Sequence, residues 1–387
     1  MTYSTSRRGF LSTGFAFPIA GLGSKLGRFW SVNLLSDAAS IKLDYRTLGK
    51  TGLKVTTLGF GCMITSDASV ITRAADLGIN YFDTARVYQH GNNEKMVGAA
   101  LKAKRKDLVL STKTPSPDRD SALKDLDTSL RELGTDYVDI WYLHAKDKPS
   151  QITDDLIEAQ QIAKKAGKIR FAGVSTHSGQ KEVLPWMVEK GAFDVVLVAY
   201  NFTMDAGMDA ALEAATKGNL GIVGMKVMAG GFRTLKPGDP NYEKLHRDGA
   251  MLSALKWTLR NKNIHTTIPS MTDMDQLDDN LKAMSQPFGA PDEKLLATKL
   301  DVIKPLYCRL CGECEGACSK SLHVEDTLRF LTYAEGYGQF TLGREHYQAL
   351  PTVQKQVRCA DCNECTVKCR HGVNVPVRMA RAQELFT

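Results

Sequence analysis

The sequence predicts an α/β protein: a (β/α)8 TIM barrel followed by a small, mainly helical, cysteine-rich domain. Short apolar runs alternate with amphipathic stretches eight times between residues 41 and 285. That alternation is the pattern of a parallel sheet flanked by helices. Eight such units in roughly 240 residues fit a closed barrel better than an open, doubly wound sheet. Eight of the nine cysteines lie beyond residue 307, which sets the C-terminal stretch apart as its own module.

The 387-residue chain is 43% hydrophobic and 24% charged, the balance of a globular protein with room for a large core. Its net charge is +7, of which the first 38 residues contribute +3 and the rest +4. That mild surplus, with no basic run interleaved with aromatics, leaves no footprint for nucleic acid. No apolar run reaches the ~18 residues of a spanning helix. At the start, Ser6-Arg7-Arg8-Gly9-Phe10-Leu11 opens a modest apolar region running to Gly23. Twin arginines before such a region read as a twin-arginine (Tat) export signal over residues 1–38, to be engaged by the Tat translocase. The plainer reading is a basic tail. A small-x-small cleavage pattern stands at Ser36-Asp37-Ala38, with Lys25 and Arg28 interrupting the approach to it. Folded export suits a protein whose metal centre is inserted in the cytoplasm. The expected location is therefore periplasmic or exported, the alternative being cytoplasmic.

Ahead of the barrel strands, Tyr45–Thr57 holds Gly49-Lys50-Thr51-Gly52 between short polar and apolar runs. This predicts a β-hairpin plugging the barrel bottom. The barrel is expected over 41–285. Its strands are expected at Leu58–Gly61, Asn80–Asp83, Leu108–Lys113, Val138–His144, Ile169–Ser175, Val195–Val198, Gly221–Lys226 and Thr266–Pro269. The helices between them are expected at Val70–Leu77, Asn92–Lys102, Arg119–Leu133, Asp154–Ala166, Gln180–Lys190, Asp205–Thr216, Ala250–Arg260 and Met274–Ala283. Residues 286–307 read as a polar, proline-interrupted linker leading into a helix.

A barrel of this type gathers its reactive groups at the C-terminal ends of its strands. Asp83, Lys113 and His144 end the second, third and fourth apolar runs, and Tyr88 stands in the loop after the second. Each alone is more often structural, because position in a fold is only an associational warrant. Together they form an acid, a phenol, an ammonium and an imidazole at consistent positions. Cys62, after the first strand, reads as a small core residue.

At this point the sequence resembles the aldo/keto reductase superfamily over about 240 residues. The resemblance rests on Tyr45–Val55, Phe82-Asp83-Thr84-Ala85 with Tyr88, Asn93-Glu94 with Gly98 and Leu101, Ser111-Thr112-Lys113 and Tyr142-Leu143-His144. Gly167–Ser175, Tyr200-Asn201, and Ile268-Pro269 with Asn280 extend it. The resemblance implies that Asp83, Tyr88, Lys113 and His144 form a catalytic tetrad. Tyr88 would donate a proton to a carbonyl oxygen, Lys113 would lower the phenol's pKa from its ordinary value near ~10, Asp83 would hold Lys113, and His144 would orient the carbonyl. The substrate implied is a small carbonyl or alcohol compound.

The resemblance also implies a nucleotide, NAD(P), held by Ser175, Asn201, Met225, Lys226, Ser270, Gln276 and Asn280. Several of these positions depart from the family pattern. Thr176 and Leu197 stand where Asn and Gln are common. Met225 stands where an aromatic stacks, and Ser270 and Gln276 stand where Lys and Arg grip a 2′-phosphate. Gly230-Gly231 reads either as a plain loop turn or as a close backbone approach to a pyrophosphate.

The C-terminal module, 308–387, contains Cys308-x2-Cys311-x2-Cys314-x3-Cys318 and Cys359-x2-Cys362-x2-Cys365-x3-Cys369. This is the bacterial ferredoxin run, twice. It implies two [4Fe-4S] clusters, with the fourth cysteine of each run crossing over. The sets would be Cys308, Cys311, Cys314, Cys369 and Cys359, Cys362, Cys365, Cys318. Ser319 and Arg370 replace the proline usual after the fourth cysteine, and about 40 residues separate the runs, so the helical ferredoxin-like type is expected, with Val324–Tyr333 helical. Zinc is the plainer alternative, but it does not need three evenly spaced thiolates.

The leading expectation is an exported oxidoreductase of aldo/keto reductase type, with electron transfer through two clusters to a redox partner protein. Joining one-electron clusters to a two-electron carbonyl step calls for a converter such as a flavin, for which the sequence shows no motif. The alternative expectation is an electron-transfer subunit whose barrel is a docking scaffold.

Overall fold

The computed structural model describes residues 42–231 and 249–387. The expected export signal lies outside the described residues. The first strands, β1 (Tyr45–Thr47) and β2 (Lys54–Thr56), form an antiparallel hairpin. Its turn carries Gly49 at φ +50°, where a Cβ would come within 2.3 Å of the Gly221 amide nitrogen. Only glycine combines that left-handed backbone with so close an approach to the start of a barrel strand. The hairpin sends Leu48, Leu53 and Val55 into the barrel interior, against Tyr81, Val109, Ile140, Val195, Leu197 and Val223. The bottom is thus plugged as expected.

Eight parallel strands follow: β3 (Phe60–Gly61), β4 (Tyr81–Asp83), β5 (Val109–Thr114), β6 (Val138–Leu143), β7 (Ile169–Thr176), β8 (Val195–Ala199), β9 (Gly221–Met225) and β10 (Thr266–Thr267). Each pairs with its neighbours in sequence. The ring closes where the Gly59 and Gly61 amides donate to Thr267 and Pro269 (2.7 and 3.0 Å) and the Thr267 amide donates to Thr57 (3.0 Å). Alternate side chains divide between two cores. Tyr81, Val109, Ile140 and Val195 point inward. Phe82, Leu110, Trp141 and Val196 pack under the outer helices. Burial on both faces explains why the strands read as near-continuous apolar runs.

The outer helices are α1 (Ala68–Asp76), α2 (Asn92–Leu101), α3 (Arg119–Leu133), α4 (Asp154–Lys165), α5 (Gln180–Lys190), α6 (Ala206–Lys217), α7 (Ala250–Arg260) and α8 (Met274–Leu281). Asp67, Asp118, Thr153, Asp205 and Asp273 cap their first turns by accepting backbone amides, which is why these starts are legible. All sixteen barrel elements fall within two residues of their expected bounds.

The stretch 286–307 differs from a linker. It holds α9 (Ala290–Ile303), which buries Leu296, Lys299 and Ile303. Asp292 in its first turn pairs with Lys256 of α7 at 2.7 Å and accepts from Ser253. Pro291 interrupts nothing, because an amide missing in the first turn breaks no helical bond.

Beyond α9 come α10 (Val324–Glu335), α11 (Phe340–Gln348), α12 (Thr352–Gln356) and α13 (Val375–Phe386). Phe330, Leu331, Tyr333, Tyr347 and Phe386 form their core, which Met63 from the loop after β3 joins. A second apolar cluster of Leu322, Val324, Leu328, Val367, Val373, Val375 and Met379 packs against the cysteines. Barrel and C-terminal segment belong to one compact unit. Their contacts lie on loops past the strands' C-terminal ends: Lys148 with Glu315 (2.7 Å), His90 with Glu345 (3.2 Å) and Asn201 with Tyr307 (3.2 Å). The C-terminal helices therefore cover the barrel mouth. At the closest point, a Cβ on Gly336 would stand 2.4 Å from the Gly230 carbonyl oxygen. Gly336→Ala should cost about 1–3 kcal/mol through this overpacking. Urea unfolding measures it, and an unchanged midpoint would contradict the close approach.

Candidate active site

The strand register brings four reactive groups together. Asp83 ends β4 opposite Ser111 of β5, and Lys113 of β5 lies opposite Tyr142 of β6. His144 follows β6 directly, and Tyr88 opens a short turn after β4. That turn is held from two sides. Arg86 pairs with Glu94 at the start of α2, while Glu94 also accepts from Thr112 (2.6 Å). Gln89, at φ +49°, donates to the Thr65 carbonyl (2.8 Å). Asn93 accepts from Thr84 (2.6 Å) and donates to the Cys62 carbonyl (2.8 Å). The Asn93-Glu94 pair thus ties the Tyr88 loop to the loop after β3. Cys62 is a buried thiol, as expected.

Lys113 organises the site. Its Nζ donates to Asp83 Oδ2 (2.5 Å), the Thr84 carbonyl (2.6 Å) and Tyr88 Oη (3.2 Å), which uses all three of its protons. The other Asp83 oxygen accepts from Ser111 (2.7 Å). Both charges are buried, at 1% exposure each. Burial raises the Asp83 carboxyl and lowers the Lys113 ammonium, and their direct contact opposes both effects. The His144 ring stands edge-on to Tyr88 with centroids 6.0 Å apart, and His177 lies 6.3 Å beyond it.

The electrostatics correct one expectation. Tyr88 is pushed well above the ordinary phenol range, first by burial, then by the charges of Asp83 and Tyr333. The 3.2 Å contact with Lys113 does not reverse that rise, because burial is the largest effect on the phenol. The phenol therefore stays protonated at neutral pH. Burial, with Lys113, Arg329, His346 and Lys146 nearby, keeps His144 well below its usual value, so its imidazole is neutral.

The C-terminal helices add groups that the sequence reading did not single out. Tyr333 and Tyr337 stand under Lys226, with Nζ 5.3 and 6.0 Å from their ring centroids. Arg329 lies one turn before Tyr333 on α10. Arg329 and Tyr333 lie four apart on α10 and Tyr337 follows just past its end, a spacing that is the signal in the sequence for the first two. Burial and then Arg329 push Lys226 down to about 7. Lys226 itself sits at φ +56°, a left-handed position uncommon for a long side chain.

The expected nucleotide residues divide into two places. Ser175, Asn201, Met225 and Lys226 come to the barrel mouth. Ser175 accepts from the Ala145 amide (2.9 Å), and Met225 packs on the inner core. Asn201 is fully committed: its amide donates to the Lys226 carbonyl and Tyr307 Oη (3.1 and 3.2 Å), and its oxygen accepts from Thr203. Ser270, Gln276 and Asn280 lie on the α8 side. Gln276 donates to Thr272 (2.8 Å) and Asp273 (2.5 Å). Asn280 is buried with its Nδ2 unpartnered. Among the described residues the set fits a dinucleotide only in part. Asn280 offers an open donor, but no cation stands at Ser270 or Gln276, and Asn201 has nothing left to give. Gly230 and Gly231 take positive φ, and Gly230 abuts Gly336 of the C-terminal segment.

The cysteines fall into two groups. Cys318, Cys359, Cys362 and Cys365 line one cavity. Cys308, Cys311 and Cys314 are close enough for their charges to act on one another, and Cys369 acts on Cys311 and Cys314. None is in a disulfide. Leu310 and Gly312 take positive φ, folding the first run into a tight loop in which the Leu310 amide donates to Cys308 Sγ (3.4 Å). Soft thiolates gathered by fours against an apolar shell suit iron–sulfur clusters. Cys311, Glu313 and His371 also lie with ligand atoms within 4.8 Å of one another, with Cys311 and Glu313 exposed.

Fold and site together define a barrel oxidoreductase with a tyrosine–lysine–aspartate–histidine group at its mouth. The chain belongs to the aldo/keto reductase family, whose model matches residues 64–298. It is 31% identical over 222 residues to the uncharacterized oxidoreductase YqkF of Bacillus subtilis, covering 53% of this chain and 71% of that one. It is 29% identical over 289 residues to L-galactose dehydrogenase of Arabidopsis thaliana, covering 63% and 89%. The holo form of the aldo-keto reductase AKR11C1 from Bacillus halodurans superposes with a TM-score of 0.57 at 26% identity, covering 66% of this chain and 96% of that one. The family match ends inside α9, which agrees with α9 packing as a barrel helix.

Removing Lys113 tests the buried pair. Without the ammonium, burial still lifts Asp83, so the folded state holds that proton more tightly than the unfolded chain. Asp83 then favours folding at low pH and opposes it as pH rises past the unfolded value near ~3.9. Lys113→Met should cost about 3–5 kcal/mol at neutral pH, and less near about pH 4. Urea unfolding at both values checks this, and a deficit independent of pH would contradict it.

Proposed function

We propose that the protein interconverts a carbonyl and an alcohol at the barrel mouth, with Tyr88 as proton donor, and that its electrons pass through two [4Fe-4S] clusters on the C-terminal cysteines. The observation that supports this most directly is the Lys113 ammonium, which bridges Asp83 and Tyr88 Oη. In reduction, a hydride equivalent (two electrons and a proton, which NAD(P)H or a flavin fed by the clusters would supply) forms the new C–H bond, while the Tyr88 O–H bond breaks and a new O–H bond forms on the substrate oxygen. The phenolate left behind faces Lys113 across the 3.2 Å contact, which stabilises a charge that burial otherwise disfavours. Neutral His144 orients the carbonyl oxygen beside Tyr88. In alcohol oxidation the same proton returns to Tyr88.

When bound, each cluster supplies electrons one at a time. Cys308, Cys311, Cys314 and Cys369 would hold one cluster, and Cys318, Cys359, Cys362 and Cys365 the other. The first set adjoins the site through Tyr307, which precedes Cys308 and meets Asn201. The second set opens beside exposed Glu364, where a redox partner protein would dock. The twin-arginine pattern supports export through the Tat translocase to the periplasm.

A second reading, an electron-transfer subunit whose barrel is a docking scaffold, is favoured by the commitment of Asn201 to Tyr307. Turnover separates the two. Viologen-driven reduction of a carbonyl panel should fall by about 10²–10⁴ in Tyr88→Phe, with circular dichroism unchanged. Full turnover by that variant would remove Tyr88 as donor, and no turnover by the wild type would leave the scaffold reading. Anaerobic preparations should contain about eight iron and eight sulfide per chain. Stoichiometric zinc would refute the clusters.

A further inference from the structure

In the chamber between the barrel mouth and α10, Lys226 makes no direct ion pair, although the charge of Asp147 acts on it. Lys226 Nζ stands over the Tyr333 and Tyr337 rings. Among the described residues no carboxylate pairs with it. Arg329 faces the same chamber, close enough for its charge to act on Lys226, His144 and His177. The acids nearby are all engaged. Asp326 pairs with Arg329 at 2.5 Å. Glu325 accepts from Ser178. Asp147 accepts from Thr176 (3.1 Å) and from the His177 and Ser178 amides (2.6 and 3.0 Å). His177 Nδ1 is buried with no partner.

A partly desolvated ammonium and an orphaned imidazole nitrogen in one chamber are relieved either by loss of the lysine proton or by an anion that completes them, and an anion would hold Lys226 charged. That chamber adjoins the proposed proton donor, because His177 stands tilted beside His144 and His144 stands edge-on to Tyr88. An anionic group at Lys226 and a carbonyl at Tyr88 would then belong to one small molecule. Planar carboxylate also suits the guanidinium of Arg329. We propose that the substrate is an oxo acid, or the hydroxy acid of the same pair, whose carboxylate is held by Lys226 with Arg329 and His177. This rests on the reading of the barrel mouth as a carbonyl site. The same cations could instead serve the phosphates of a nucleotide, so the test separates carboxylate from phosphate.

Binding is measured by calorimetry on the full-length, iron-loaded protein, with oxamate against oxamide, its uncharged counterpart of the same shape. Oxamate should bind at least about tenfold more tightly, the worth of one charge-assisted contact. Lys226→Met should erase the preference and Lys226→Arg should keep it, with iron content and circular dichroism matching wild type. Arg329→Gln, a change on α10 outside the barrel strands, should weaken oxamate as well. Equal binding of oxamate and oxamide by the wild type would overturn the proposal, as would an undiminished preference in Lys226→Met. ADP-ribose displacing oxamate from the wild type would overturn it too, by assigning the cations to a nucleotide. None of these readings needs turnover, so a failure of Tyr88 as proton donor shows separately, in the Tyr88→Phe assay.

Discussion

A charged lysine buried at the mouth of the barrel sets the terms for everything around it. Lys113 has three protons and 1% exposure, so three acceptors must come to it: Asp83, the Thr84 carbonyl and Tyr88. Meeting that demand aligns β4 with β5, places the loop after β4, and aims one phenol at the centre of the mouth. The supporting bonds from Ser111, Thr112, Asn93 and Glu94 keep those acceptors in place. A buried pair of this kind adds little net stability. What it confers is a fixed geometry around one proton.

The C-terminal helices complete that geometry by keeping water out. Tyr333 and Tyr337 close over Lys226, and Tyr307 takes up the amide of Asn201. The burial that results raises Tyr88, lowers His144 and leaves both neutral. It also strengthens every charge interaction in the chamber. The segment that carries the cysteines is therefore also the lid of the barrel. The four reactive groups and the cysteines share one wall, with Tyr307 and Cys308 adjacent in the chain.

Sequence and structure agree most closely where a local rule applies. The barrel helices begin where aspartate or threonine caps them, and the strands appear as apolar runs because both of their faces are buried. Asp83, Lys113 and His144 could be placed because a parallel strand has one functional end. Pro291 was misread because a first-turn proline looks the same in a sequence as a chain break. The direction of the Tyr88 shift differs from the expectation because burial, its largest cause, is set by segments distant in the chain. Arg329, Tyr333 and Tyr337 went unnoticed because their spacing does not say what they face.

By itself the sequence determined the eightfold barrel, the strand-end positions of the four reactive groups and the doubled cysteine spacing. These depend on contacts between residues near in the chain or on the repeat of a period. Only the tertiary structure decided what covers the barrel mouth and which residues occupy the places expected to bind nucleotide. Those contacts join segments more than a hundred residues apart, such as Asn201 with Tyr307, and burial between such segments sets the protonation of each group there.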